Sequence, residues 1–174
     1  LDRPARIAGL VLVAGVTHPW EGGVSWFYDL AARPVLGRLF ASLLAPPLGA
    51  LLFRGAIASS FAPQAPVPGY ADATAAALVL RPGEFCWNGQ DVRGLLPFVA
   101  RQAPRYGEIR VPTAVITGDA DGTVSPTIHS EAIARQIRGA RLTLLPGVGH
   151  MLHHVARDVL VGEIRRIAAM DPMA

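Results

Sequence analysis

Leu142-Thr-Leu-Leu-Pro-Gly-Val-Gly-His150-Met-Leu-His-His154 reads as a short apolar strand, a Pro-Gly-Val-Gly turn, one histidine and the start of a helix. Gly147 and Gly149 supply backbone freedom that other residues lack, so the turn can hold the His150 imidazole at the tip of the strand. Earlier in the chain, Val111-Pro-Thr-Ala-Val-Ile-Thr117 has the same apolar strand character and runs into Gly118-Asp-Ala-Asp121-Gly-Thr-Val124-Ser-Pro126. A carboxylate after one parallel strand and a histidine after the next meet at the carboxyl end of the sheet, where open α/β sheets place their sites. An acid beside an imidazole fixes its tautomer and stabilises the imidazolium formed when it takes a proton. Asp119 and Asp121 both compete for that role, and either can instead be a turn residue bonded to its own backbone.

Outward from these two strand tips, Ile7 to Ala14 is almost wholly apolar, as expected of a parallel strand covered on both faces, and Gly15 ends it. The interval to the strand at Val111 is far longer than a βαβ crossover requires. Its first part, about Val16 to Asp91, is rich in Ala, Leu, Pro and aromatic residues and shows no strand alternation. Proline and glycine punctuation predicts helices over 25–32, 34–44, 47–58 and 69–80. Val92 to Ala103 then reads as a helix returning to the sheet. Ser125-Pro126 is a helix start, with the hydroxyl as cap and proline at the first helical position, and predicts a helix to about Ile137. Leu152, Val155, Ala156, Val159, Ile164 and Ile167 form an apolar stripe that predicts one last helix before the tail Asp171-Pro-Met-Ala174.

The composition narrows the class of protein. With 174 residues, 51% apolar and 17% charged, the chain can bury a sizeable core. The formal charge of +3 comes from scattered arginines, since there is no lysine, and no basic stripe or recognition motif marks a nucleic-acid binder. One cysteine, Cys86, cannot form an internal disulfide, so nothing calls for an oxidising compartment and a cytoplasmic location is expected. The apolar run Leu39 to Phe53 is interrupted by Pro46-Pro47 and Gly49 and is shorter than the ~20 residues of a membrane span. It is read as two packed helices.

Three motifs resemble the α/β-hydrolases, and among them the capped members related to esterases, lipases, epoxide hydrolases and C–C bond hydrolases. The stretch Val111 to Pro126 is similar to that family's acid-bearing strand and loop, Pro146-Gly-Val-Gly-His150 to its histidine loop, and Arg3-Pro-Ala-Arg-Ile-Ala-Gly-Leu-Val-Leu-Val-Ala-Gly15 to the strand after its nucleophile helix. The order acid then histidine also agrees with the family. The resemblance implies a partial α/β-hydrolase fold: parallel strands flanked by helices, with residues 1–15 a core strand, 16–91 an inserted helical cap and 92–174 the C-terminal part of the core. It favours Asp121 over Asp119 as the orienting acid and assigns His150 as the catalytic base. No Gly-x-Ser-x-Gly elbow occurs; the nearest imitation, Gly23-Val-Ser25-Trp-Phe27, lacks the second glycine and follows no strand. Ser42, Ser59, Ser60, Ser125 and Ser130 lie in helical or capping contexts, and Cys86 lies between Phe85 and Trp87 with no tight turn. The expectation is therefore the C-terminal portion of a longer hydrolase, inactive alone, with the first strands, oxyanion hole and nucleophile lying outside this chain.

The function implied is hydrolysis of a small apolar ester by a nucleophile-His-Asp triad, without metal or organic cofactor. Epoxide, haloalkane or C–C bond hydrolysis on the same fold, or a non-catalytic binding domain, are the alternatives. His150-x-x-x-His154 imitates a helical zinc pair, but Met151 replaces the expected glutamate and no third ligand is evident; packing or solvent contact is expected for His153 and His154. Asp119-x-Asp121-Gly122 imitates a calcium loop, but Thr123, Val124 and Ser130 stand where that loop wants an oxygen ligand, a glycine and a glutamate. The aromatic residues of the insert, Trp20 to Trp87, serve as cap core or as pocket lining. An uncovered sheet edge would promote self-association.

Overall fold

The computed structural model describes residues 1 and 6–170; the start of the Arg3–Gly15 motif and the tail from Asp171 lie outside the described residues. Three parallel strands form one sheet in the order β1-β2-β3, with β1 at Leu10–Val13, β2 at Thr113–Gly118 and β3 at Arg141–Leu145. Val11 pairs with Ala114 and Ile116 with Thr143, so the carboxyl ends of β2 and β3 lie side by side. Flanked by helices, this is the parallel α/β arrangement expected from the apolar runs. Residues Ile7 to Gly9, though apolar, lie ahead of the paired strand.

β2 is buried along its whole length because it is central among the described strands. Alternation sends Val115 to one face, where it packs with Ala103, Tyr106, Ile133 and Ile137. Ile116 faces the other way, against Ala14 and Leu152. Burying side chains such as Ile116 and Leu152 contributes about 1.5–3 kcal/mol each, which anchors the loops between these elements to the sheet.

The chain divides into two compact units. The first comprises residues 1–19, 60–64 and 99–174 and contains the sheet; the second comprises residues 20–59 and 65–98. The helices of the second unit are α1 (Trp26–Ala31), α2 (Leu36–Leu43), most of α3 (Ala45–Phe61), α4 (Tyr70–Ala73), a 3₁₀ turn (Ala76–Leu80) and most of α5 (Pro82–Gln102). Pro46, Pro47 and Pro82 fall in first helical turns, where the missing N–H has no intrahelical partner to lose. Within the unit Phe40 lies between Trp26 and Phe85, with ring centroids 6.1 and 5.8 Å away. The predicted helix over 69–80 is two pieces, because Ala75 takes a left-handed conformation at φ 49° and stops α4. No single helix among the described residues is long and apolar enough to cross a membrane; α2 and α3 reach that length only as a pair bent by 63°.

Two further elements depart from the sequence reading. The helix expected from Ser125-Pro126 begins as a π-turn over Thr127–Glu131 and becomes α6 only at Ala132–Gln136. The last apolar stripe is broken at Ala156 (φ −123°, ψ 40°) into α7, Leu152–Val155, and α8, Arg157–Ala168. Leu152 is fully buried against Ile116, so α7 is held by the sheet immediately behind His150 while α8 packs against β1 and β2.

Candidate active site

At the carboxyl ends of β2 and β3 two loops are sewn together. The Asp119 N–H donates to the Leu145 carbonyl and the Ala120 N–H to the Val148 carbonyl, each over 3.1 Å. Gly118 permits this approach, since a Cβ there would run into the Val148 carbonyl. The Asp119 carboxylate accepts the Gly147 N–H at 2.6 Å, so this residue joins the loops instead of facing the histidine.

Asp121 is directed inward. Its side chain is fully buried, and Oδ1 accepts the N–H groups of Thr123 and Val124, both at 2.8 Å. Oδ2 lies 2.9 Å from Nδ1 of His150. Burial by itself would raise the Asp121 pKa, but the His150 hydrogen bond and the Val124 and Thr123 N–H groups outweigh it and hold the carboxyl below its ordinary value. With Nδ1 donating to this carboxylate, the neutral imidazole keeps its lone pair on Nε2, the atom suited to accept a proton. The His150 side chain is 26% exposed against 0% for Asp121: a sheltered acid behind an accessible base.

The glycines of the histidine loop have different tasks. Gly147 sits at φ 66°, a left-handed conformation that L residues adopt at a cost. Gly149 is required by proximity: a Cβ there would meet the Ala62 carbonyl. Beside that contact Gln64 bridges the loop, its Nε2 donating to the Gly147 carbonyl at 2.6 Å and its Oε1 accepting the Gly149 N–H at 2.9 Å. Nothing in the Phe61-Ala-Pro-Gln-Ala-Pro66 stretch signals this role, because a bridge across more than eighty residues leaves no local pattern.

The other polar residues are occupied elsewhere. His153 and His154 are exposed, with their rings 4.3 Å apart and the His154 ring 5.6 Å from that of Phe61. No group of three metal-ligating side chains converges among the described residues. Ser42 lies in α2, Ser59 and Ser60 in α3, and Ser25 precedes α1. The Ser125 hydroxyl accepts the Ile128 N–H at 3.4 Å, and Ser130 is buried in the π-turn. Cys86 lies within α5. In the helical unit an open groove is lined by Leu78, Arg81, Glu84, Trp87 and Asp91.

Among solved structures the chain is similar to the 2-hydroxy-6-oxo-6-phenylhexa-2,4-dienoate hydrolase of Rhodococcus sp. strain RHA1, with a TM-score of 0.69 and 17% identity over 97% of this chain and 58% of that one. The chain has part of the α/β-hydrolase fold. The same fold relates it to an alpha/beta hydrolase fold protein from Burkholderia ambifaria (TM-score 0.65, 19% identity, 94% of this chain and 59% of the other). It is also similar to the enol-lactonase of Burkholderia xenovorans LB400 (TM-score 0.60, 17% identity, 95% and 57%). The chain thus spans less than two thirds of the length of each of these α/β-hydrolase structures. No protein-family model matches the sequence, and no curated protein matches it.

Proposed function

We propose that this chain carries the acid and base of an ester-hydrolysing catalytic triad whose nucleophile, a serine, is supplied from outside it. The 2.9 Å contact between His150 Nδ1 and Asp121 Oδ2 carries this reading, because it presents an oriented imidazole with Nε2 as proton acceptor. In the first half-reaction Nε2 takes the serine proton as the hydroxyl attacks the ester carbonyl, and the resulting imidazolium returns that proton to the departing alcohol. In the second, Nε2 takes a proton from water, which attacks the acyl-enzyme, and gives it back to the serine as the acid leaves. Asp121 stays ionised and stabilises each imidazolium. A general base placed this way contributes about 10²–10⁴-fold.

The helical unit, residues 20–59 and 65–98, is the cap segment in this reading. An ester is taken as the substrate because an enol-lactonase and esterases are among the similar structures, beside the 2-hydroxy-6-oxo-6-phenylhexa-2,4-dienoate hydrolase. The substrate is accordingly a small apolar ester, and no cofactor is called for.

The test joins an upstream segment bearing a Gly-x-Ser-x-Gly elbow to this chain and measures p-nitrophenyl ester turnover. His150→Ala is expected to lower kcat by at least about 10²-fold. Unchanged turnover in that variant removes the proposal, and turnover by the 174-residue chain alone removes the external nucleophile.

A further inference from the structure

The acid loop is followed by a buried histidine that the reaction does not use. His129 lies in the π-turn and is 4% exposed. Its Nδ1 is the acceptor for two main-chain N–H groups from the segment leaving β1, those of Thr17 at 3.3 Å and His18 at 3.2 Å. An imidazole nitrogen that accepts carries no proton, so these bonds require the neutral ring with its hydrogen on Nε2. Burial, and then His18, lower the His129 pKa, while Asp121 opposes them; neutrality of the ring agrees with the hydrogen-bond pattern.

The connections continue in both directions. The Thr17 hydroxyl donates to the His129 carbonyl at 3.0 Å, and the Thr17 carbonyl accepts the Tyr106 hydroxyl at 2.8 Å. The His129 N–H donates to the Ser125 carbonyl at 3.1 Å, only one residue beyond Val124, whose own N–H is held by Asp121. A run of hydrogen bonds thus leads from the Asp121 carboxylate through the end of its loop to His129 and on to the exit of β1. π-turns are uncommon and recur at functional positions; this one turns both His129 and Ser130 inward, where an ordinary helical start was expected.

We propose that His129 is a positioning residue for the acid loop: its unprotonated Nδ1 ties the Thr17-His18 segment to the turn after Asp121 and so keeps the carboxylate in register with His150. The proposal deepens the triad reading and rests on it for its functional meaning. Because the ring is neutral, replacing it with another neutral side chain alters geometry without removing a charge near Asp121. Asparagine can offer Oδ1 near the place of Nδ1, whereas leucine offers no acceptor and leaves the buried Thr17 N–H and the half-buried His18 N–H without one.

The experiment is ring and amide NMR at neutral pH on the 174-residue chain, and it needs no catalysis. In the unsubstituted protein the His129 ring should show the Nε2–H tautomer. His129→Leu is expected to speed solvent exchange of the His150 Nδ1 proton at least about tenfold, because the Thr17 and His18 N–H groups lose their acceptor, and His129→Asn to restore slow exchange. A protonated Nδ1 on His129, or a folded His129→Leu protein with unchanged exchange, overturns the proposal. If His129→Leu does not fold, the tautomer and the His129→Asn exchange rate decide it: fast exchange in folded His129→Asn overturns it. Loss of ester turnover in His150→Ala bears on the triad alone, so the two readings fail separately.

Discussion

At Asp121 one carboxylate serves two partners through different oxygens. Oδ1 closes the acid loop on the Thr123 and Val124 N–H groups while Oδ2 holds His150, so the group that would orient the base also stabilises the fold. Its pKa is depressed in the folded chain, against about 3.9 unfolded. Folding therefore favours the ionised form. The associated stability is fully present above about pH 4 and is lost as pH falls through the folded pKa. Asp121→Asn should accordingly be less stable than the parent chain near neutrality, with the gap narrowing as pH drops below about 4; melting temperatures of both proteins across that range measure it. A gap independent of pH would show that folding does not lower the Asp121 pKa. If the proposed triad holds, then in the chain joined to a Gly-x-Ser-x-Gly segment Asp121→Asn should lower kcat by about 10⁴-fold, since an amide N–H facing Nδ1 selects the tautomer whose Nε2 cannot accept a proton. Steady-state kinetics on the same ester substrate check this.

The loops themselves show what local sequence can and cannot reveal. His150 and Asp121 were legible as residues after apolar parallel strands that end in glycine-rich turns, although β3 is largely exposed where β2 is buried, and only the resemblance separated Asp121 from Asp119. Glycine at 147 and 149 was legible as a requirement, though its causes differ: a left-handed φ at Gly147 and the Ala62 carbonyl at Gly149. Gln64, the loop-joining role of Asp119 and the acceptor role of His129 were not legible, since each depends on a partner distant in the chain. The break at Ala156 was hidden for another reason: the apolar stripe continues across it, so periodicity alone predicts one helix where two are found. The bridge made by Gln64 leads to a prediction for the histidine loop as a whole. Gly149→Ala should destabilise the chain by about 1–3 kcal/mol, because backbone at Ala62 must move to admit a methyl group. Gln64→Ala, which removes two hydrogen bonds but adds no volume, should cost about 1–3 kcal/mol in total and speed amide exchange at Gly149. Denaturant titration and hydrogen exchange distinguish the two; equal stability of Gly149→Ala and the parent would mean the loop does not need the close approach.

The part of the α/β-hydrolase fold present here leaves surface of two kinds that a partner would cover. Among the described residues β1 and β3 each pair only with β2, so the far edges of Leu10–Val13 and Arg141–Leu145 offer main-chain groups to another strand. In the helical unit Leu43, Leu51 and Leu52 are 68, 79 and 64% exposed, apolar side chains that favour association. Either surface would drive self-association, but they respond to different changes. Charged residues at Leu51 and Leu52 abolish association through the helices without touching the sheet. Association through a sheet edge, β1 or β3, survives them and yields to a peptide that pairs with that edge. Our expectation is the sheet edge: sedimentation velocity should show mass rising with protein concentration in both the parent chain and the Leu51→Glu/Leu52→Glu variant. A parent chain that remains a cooperatively melting monomer across the range would contradict it. Loss of association in the variant alone would move the contact to the helices.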